Sequence, residues 1–136
     1  MQKVIDLSLL SDTSEVPVAA IIVKNQEIIA TGFNTRQREQ DIIGHAEINA
    51  LRQANKALGT WNLNDCLMYV NLEPCPMCAG AILQAHIKEL VFGAYETKSG
   101  AFGSRYNLVT NNMKIIGGIK EQECLHLIQK FFAKLR

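Results

Sequence analysis

Apolar residues occur along this chain in short runs whose spacing changes from one run to the next. Val16 to Val23 is apolar and rich in β-branched residues, and Glu27 to Phe33 is a similar run after the polar turn Lys24-Asn25-Gln26. Runs of this length and composition, bounded by polar residues, indicate strands. The pair therefore predicts a β-hairpin. Pro17 has no backbone N–H to donate, which favours the edge of a sheet for the first strand.

Two later segments have helical spacing. One runs from His45 to Leu58 and is followed by the stop signal Gly59. The other begins at Pro74-Cys75-Pro76 and runs to about His86, since a proline in the first helical turn removes no hydrogen bond. Both carry rows of small side chains, which allow a helix to lie close to a sheet: Ala46, Ala50, Ala54 and Ala57 in the first, and Ala79, Ala81 and Ala85 in the second.

The other segments complete an alternating pattern of strands and helices. The sequence predicts a short first helix over residues 2–10, a polar loop over 34–44, and strands over 67–73 and 87–94. A loop then runs from the end of that strand to residue 112, followed by a strand over 113–119 and an amphipathic helix over 121–136. After the first helix the order is β-β-α-β-α-β-β-α. This order predicts an α/β sandwich around one sheet.

The composition is that of an ordinary globular protein. The 136 residues are 48% hydrophobic and 20% charged, which suits a single domain over residues 1–136 with a sizeable core. The net charge of +1 gives no general argument for a polyanionic partner. No apolar run is long enough to span a bilayer, and residues 1–16 make a poor signal peptide. We therefore expect a cytoplasmic protein without a membrane partner.

The four cysteines fall into two groups. Cys75 and Cys78 form a C-x-x-C pair, whereas Cys66 and Cys124 are solitary. In a reducing compartment paired cysteines are more often metal ligands than disulfides. We expect the two solitary cysteines to be packed, unreactive thiols.

The residues that suggest chemistry stand at the starts of the two predicted helices. His45 and Glu47 begin the first, and Cys75 and Cys78 begin the second. One histidine and two cysteines supply three zinc ligands, which leaves the fourth tetrahedral position for water, as in a catalytic site. A closed structural zinc site would need a fourth protein ligand. His86 is about 12 Å beyond Cys78 by helical rise, too far for the same ion.

Two other interpretations of these residues remain open. Cys66, Cys124 and His126 are not excluded by the sequence as a fourth zinc ligand. The C-x-x-C pair is also compatible with a redox function. That function would leave His45 and Glu47 without a role.

The spacing H-x-E followed downstream by P-C-x-x-C is the zinc deaminase pattern. With VPVAAIIV, GFN, HAEINALRQA, LMYVNLEPCPMCAGAI, VFGAYETKSGAFGS and the terminal FFAKLR, the chain resembles bacterial tRNA-specific adenosine deaminases from Val16 to its C-terminus. This resemblance implies a cytidine deaminase-like fold, which is a three-layer α/β/α sandwich with a central five-stranded mixed sheet. It also implies a homodimer with one Zn²⁺ per subunit.

The resemblance further implies a reaction and its residues. Members of the family convert the wobble adenosine of a tRNA anticodon, typically that of an arginine tRNA, to inosine and ammonia. On this basis His45, Cys75 and Cys78 would bind zinc, and Glu47 would transfer protons between water, N1 of the purine and the leaving amine. The residues expected to contact the substrate are Asn34, Ala46, Ala94, Glu96, Lys98, Phe131 and Arg136. Phe131 and Phe132 could alternatively be core residues, and the apolar face of the helix favours this for Phe132.

Two competing functions remain. A deaminase of a free base or nucleoside, such as guanine, cytosine or cytidine, would share the zinc site. A noncatalytic zinc-stabilised subunit of a heteromeric deaminase belongs to a different class. Such subunits often lose the carboxylate that moves protons, and this chain retains Glu47.

Overall fold

The computed structural model describes residues 1–110 and 112–135. Its elements are α1 (Gln2–Ser8), β1 (Ala19–Lys24), β2 (Glu27–Phe33), α2 (Arg36–Glu39), α3 (Ala46–Leu58), β3 (Leu67–Leu72), α4 (Pro76–Gln84), β4 (Glu89–Ala94), β5 (Lys114–Ile116) and α5 (Glu121–Lys134). All the helices and strands predicted from the sequence are present, with ends that differ by a few residues. The prediction of a loop over residues 34–44 is wrong in one respect, because α2 lies within it.

The five strands form one mixed sheet in the order β2-β1-β3-β4-β5. β1 pairs antiparallel with β2 and β3, whereas β3, β4 and β5 are parallel. The predicted hairpin is confirmed, with Asn25 and Gln26 at φ 51° and 65° in its turn. The prediction of an edge position for the first strand is wrong. Pro17 precedes the first paired residue, Ala19, and so removes no hydrogen bond from the ladder.

Helices cover both faces of the sheet, because successive strand residues point to opposite sides. Ile22 of β1 belongs to the main core with α3 and α4. Its neighbour Ile21 packs with Val4 of α1 on the other face. Ile5 of α1 and Cys124 of α5 share a cluster, so these two helices form the third layer. None of the helices in the described ranges is both long and apolar enough to cross a membrane.

Helix α3 lies unusually close to β2. Ala46, Ala50 and Ala54 are fully buried, as the row of small residues predicted. A Cβ atom on Gly32 of β2 would collide with the backbone of Ala46 and Ala50, so the strand also needs its smallest residue here. Ala57, the fourth member of the predicted row, is exposed, because it falls off the buried face of the helix.

The solitary cysteines are packed thiols, as expected. Cys66 and Cys124 are both fully buried, in different clusters of the core. Neither forms a disulfide. The cysteines outside the C-x-x-C pair are therefore part of the packing.

Candidate active site

Two helix N-termini present the residues that the sequence singled out. His45 is the N-cap of α3 and Cys75 is the N-cap of α4, and both have extended backbone conformations. Neither side chain forms a capping hydrogen bond to its own helix. Pro76 occupies the first turn of α4, as predicted, and Cys78 follows in the same turn. The two helices thereby bring His45, Cys75 and Cys78 together.

The three side chains have the spacing of a metal-binding group. His45 Nδ1 is 3.7 Å from Cys75 Sγ and 3.4 Å from Cys78 Sγ, and all three candidate ligand atoms lie within 4.8 Å of one another. Tetrahedral zinc, with Zn–N and Zn–S bonds of about 2.05 and 2.3 Å, holds such a pair of atoms about 3.6 Å apart. The donor set therefore fits zinc in both chemistry and spacing.

The group has three members, the number of protein ligands that a catalytic zinc site takes. Within residues 1–110 and 112–135 no fourth histidine, cysteine or carboxylate joins it. The candidates left open by the sequence, Cys66, Cys124 and His126, lie outside the group. This arrangement favours a catalytic over a closed structural site.

The pKa values of the two thiols in the C-x-x-C pair are shifted in opposite directions. The Cys78 thiol donates a hydrogen bond to Cys75, and this holds the pKa of Cys75 down at about 4. The same hydrogen bond, together with burial, raises the pKa of Cys78. The hydrogen bond with Cys75 also raises the pKa of the His45 imidazole. A lowered pKa at Cys75 favours the thiolate, the form of cysteine that binds metals.

Glu47 lies beside this group in the first turn of α3. Its side chain is 5% exposed, and burial raises the pKa of its carboxyl to about 7 despite the neighbouring His45 and Cys78, which act in the opposite direction. A carboxyl group with a pKa near neutrality can accept a proton and return it at physiological pH. The geometry and the protonation of Glu47 thus suit a general acid and base.

A cavity of about 250 Å³ opens onto His45, Glu47 and Cys75. Sites for drug-sized ligands are typically about 300–1,000 Å³, so this cavity suits a smaller group such as one base. Its other walls come from distant parts of the chain: Glu15, Val16, Val18, Asn34, Arg36, Gln37, Leu72, Glu73, Glu96, Ser99, Ile128 and Phe132.

Asn34 lines the cavity and is held by two hydrogen bonds. Its Nδ2 donates to the Val16 carbonyl oxygen at 3.0 Å, and its Oδ1 accepts the N–H of Ala46 at 2.9 Å. An amide side chain has two N–H donors and two acceptor lone pairs, so one of each stays available. Asn34 is therefore both fixed in orientation and able to bind a base.

The other residues expected to contact the substrate are only partly brought to the cavity. Glu96 lines it, whereas Lys98 is exposed outside the lining. Ala46 and Ala94 are fully buried, and Ala46 reaches the site through its hydrogen bond to Asn34. Arg136 lies outside the described residues.

The closing helix places Phe132, rather than Phe131, on the cavity wall. Phe132 is 45% exposed and lines the cavity together with Ile128, one helical turn earlier. Phe131 is half-buried and packs edge-on against Phe132, with ring centroids 5.3 Å apart. The interpretation of Phe132 as a core residue is wrong, because the apolar face of the helix borders the cavity at this point. Contact of Phe131 with RNA stays a prediction.

Sequence reasoning missed two buried carboxylates at the cavity. Glu15 is 2% exposed and accepts the N–H groups of Gln37 and Arg38, at 3.0 and 2.7 Å, which caps the start of α2. Glu73 is also 2% exposed and binds the segment after β4. Glu73 could have been identified from its position directly before Pro74-Cys75, whereas Glu15 lies in a stretch without a recognisable motif.

Comparison with known proteins identifies the family. The model of the MafB19-like deaminases matches residues 1–136. The tRNA-specific adenosine deaminase of Bacillus subtilis (strain 168) is 42% identical over 130 residues, which are 92% of this chain and 81% of the relative. A solved structure from a study of A-to-I editing by tRNA:A34 deaminases at the wobble position superimposes with a TM-score of 0.85 at 32% identity, over 93% of this chain and 99% of that one.

A guanine deaminase structure, also from Bacillus subtilis, is similar at lower coverage. It is 37% identical with a TM-score of 0.67, over 76% of this chain and 67% of that one. The match to the tRNA-editing structure extends further along both chains and has the higher TM-score. From its whole-length family match and these relatives, the chain belongs to the MafB19-like deaminases and, among them, groups with the bacterial tRNA-specific adenosine deaminases.

Proposed function

We propose that this protein is a zinc-dependent hydrolase that converts the wobble adenosine of a tRNA anticodon to inosine, with release of ammonia. The observation that carries the proposal is the group of His45, Cys75 and Cys78 beside the buried Glu47, at a cavity the size of one base. The similarity to tRNA-specific adenosine deaminases supports the choice of substrate.

The three ligand residues would hold one Zn²⁺ per subunit. Zinc bound there would lower the pKa of a water molecule and make it a competent nucleophile. Glu47 would accept a proton from the attacking water and deliver it to N1 of the adenine as the new bond to C6 forms. It would then pass a second proton to the amine at C6, so that one water is consumed and one ammonia leaves.

The remaining cavity residues would select and hold the base. Asn34 has a free N–H and a free lone pair for an edge of the purine, and Phe132 offers an exposed ring face for stacking. A base can enter such a cavity only when it is unstacked, which favours the anticodon loop over a duplex. We expect Glu96 and Lys98 to contact the flanking nucleotides, and Phe131 and Arg136 to contact the RNA at the end of the chain.

Several finer properties belong to the same proposal. The substrate would be an arginine tRNA, as is typical of the family. Residues 1–136 would form one domain and act in the cytoplasm as a homodimer, with the RNA site completed near the subunit interface. Phe132 is an exposed aromatic residue on the cavity wall, and it would contact an RNA or protein neighbour there.

The direct test uses an anticodon stem-loop that carries adenosine at the wobble position. We expect the purified protein to release ammonia from this RNA, and sequencing of the product to read guanosine at that base. A matched stem-loop with guanosine at the same position is the control and should release none. Activity on free guanine or cytidine without activity on the stem-loop would contradict the proposal.

The second candidate is deamination of a free base. The likeness to a guanine deaminase favours it, because the ligand group alone is compatible with both substrates. The two candidates are separated by measuring kcat/KM for guanine and for the stem-loop with the same preparation. We expect kcat/KM to be at least about 100-fold higher for the stem-loop than for guanine, because a pocket complementary to one substrate can discriminate to this extent.

A further inference from the structure

We propose that Glu73 is a positioning residue that holds one wall of the cavity in shape and so determines how tightly the substrate binds. The wall is formed by residues 96–104, called the wall segment below. The identity of the substrate rests on the proposed function, whereas the contacts of Glu73 do not.

Both carboxylate oxygens of Glu73 bind the wall segment. Oε1 accepts the backbone N–H of Glu96 at 3.1 Å and the hydroxyl of Ser104. Oε2 accepts the backbone N–H groups of Phe102 at 2.9 Å and Ser104 at 3.2 Å. All four donors come from one stretch of nine residues, so a single side chain fixes the start and the end of that stretch.

The wall segment also closes tightly around the carboxylate. Gly100 lies against it, and a Cβ atom at this position would collide with the Glu73 carboxyl group. The Gly100 N–H donates to the Glu96 carbonyl at 2.8 Å, and the Ala101 N–H donates to the Pro74 carbonyl at 2.8 Å. Strand β3 and the segment thus enclose Glu73, which is 2% exposed.

No cation neutralises this buried charge in residues 1–110 and 112–135, where the ion pairs all involve other carboxylates. A buried carboxylate is costly unless hydrogen bonds replace its water, and backbone N–H groups of the wall segment do so here. The charge therefore determines the shape of the segment: in another conformation the carboxylate would lose its donors. A loop without regular structure gains a defined conformation in this way.

The wall segment forms part of the cavity. Glu96 and Ser99 line it together with His45 and Cys75, and Glu73 directly precedes Pro74-Cys75 in the chain. The Glu73 side chain, two residues before the candidate metal ligand Cys75, therefore connects the wall segment to the end of β3. A wall ordered before binding spares the complex the entropy cost of ordering it, which lowers KM. Because its oxygens are occupied by four donors, Glu73 acts through the segment and not on the reacting atoms.

The test is Glu73→Gln, which keeps the size of the side chain but turns an amide N–H₂ toward backbone donors. We expect KM for the wobble-adenosine stem-loop to rise about 10-fold or more and kcat to change less than about threefold, with zinc content unchanged. Glu27→Gln is the matched control, since Glu27 is exposed at the start of β2 and loses the same charge. Loss of a negative charge alone favours RNA binding, so a higher KM cannot come from net charge.

Amide hydrogen exchange provides a readout that does not depend on activity. Protection of the Phe102 and Ser104 amides should fall in Glu73→Gln, while the amides of β1 and β3 keep theirs. A merely destabilised protein would lose active molecules, and hence apparent kcat, without a change in KM. Ser104→Ala, which removes only the hydroxyl donor, is the milder variant if Glu73→Gln does not fold, and KM should then rise about two- to threefold.

The two proposals fail in different ways. A wild-type protein that is inactive on the stem-loop contradicts the proposed function, and hydrogen exchange still tests the role of Glu73. The positioning role is overturned if the wild-type protein is active and folded Glu73→Gln has a KM within twofold of it. In that outcome the Phe102 and Ser104 amides would also keep their protection from hydrogen exchange.

Discussion

At the scale of single residues, Glu47 combines a position at a helix N-terminus with burial of its carboxyl group. It stands in the first turn of a helix, where the partial positive charge of the N-terminus stabilises an anion. It is also buried, which raises its pKa to about 7. The result is a carboxyl group in reach of the metal-binding residues that can exchange protons near neutral pH.

Glu47→Ala should therefore abolish turnover without loss of metal. General acid–base groups contribute about 10²–10⁴-fold to rate, so kcat on the stem-loop should fall by at least that factor. Elemental analysis should find the same zinc content as in the wild type, because the ligands are untouched. Glu27→Ala, at an exposed position, is the control. Turnover within a few-fold of the wild type in Glu47→Ala would contradict the role of Glu47 in proton transfer. A wild-type protein that binds tRNA without turnover, unchanged by Glu47→Ala, would indicate a noncatalytic zinc-binding subunit.

Cys75→Ser tests the metal-binding group. The low pKa of the Cys75 thiol provides the thiolate, and a serine hydroxyl does not ionise in this range. We expect the zinc content to fall well below one per subunit and the activity to fall with it. Cys66→Ser, in the core and outside the group, should keep its zinc. Wild-type protein without stoichiometric zinc would favour the redox interpretation of the C-x-x-C pair, and full zinc content in Cys75→Ser would show that Cys75 is not a required ligand.

At the scale of the elements, the close approach of α3 to β2 brings His45 and Glu47 to the cavity. The helix can come near because the strand offers Gly32 and the helix offers buried alanines at the contact. A larger residue on either element would push the helix away from the sheet. The position of His45, the first candidate metal ligand, thus depends on how closely α3 packs against β2.

Gly32→Ala should destabilise the fold by about 1–3 kcal/mol, because overpacking a dense contact forces the backbone to shift. Gly80→Ala in α4 is the matched control, since a Cβ there meets nothing within 4 Å. It should be neutral or stabilise by up to about 1 kcal/mol, as expected for glycine replaced within a helix. Urea unfolding of both variants measures the difference. Equal stability of the two would mean that the helix and the strand are not in tight contact.

Cys66, just before β3, leads us to expect a loss of stability at alkaline pH. Burial in the core, with the adjacent Asp65, raises the pKa of its thiol from an ordinary value of about 9 to about 11. Between these values the folded protein keeps the proton that the unfolded chain releases. The contribution of the Cys66 thiol to the free energy of unfolding is therefore fully present below about pH 9 and is lost as the pH rises toward 11.

The comparison of wild type with Cys66→Ala isolates this contribution from other groups that titrate in the same range. The free energy of unfolding, measured by urea at several pH values, should decline more steeply in the wild type than in the variant between pH 9 and 11. At pH 7 the variant should be the less stable protein because it leaves a small cavity. Parallel pH profiles would show that the Cys66 thiol does not stay protonated in the folded state.

At the scale of the whole molecule, the candidate site draws on six parts of the chain: the segment before β1, the end of β2 with α2, the start of α3, the β3–α4 junction, the wall segment, and α5. Local patterns predicted the helices and strands well, because apolar periodicity and Gly or Pro signals act over a few residues. They failed for α2, whose first turn is capped by Glu15 from more than twenty residues away. They also failed for the edge position of β1, since strand order depends on contacts distant in sequence.

The sequence by itself predicted that His45, Cys75 and Cys78 come together as a candidate metal-binding group with Glu47 beside it, because helix-start signals fix each pair locally and side-chain chemistry restricts what they can bind. It also predicted three of the four members of the buried alanine row and the packed thiols. Only the tertiary structure decided which side chains share the cavity: Phe132 rather than Phe131, and the unforeseen Glu15 and Glu73. The physical reason is that a buried carboxylate is stable only where a distant segment supplies its donors, and that segment's position is a property of the whole fold.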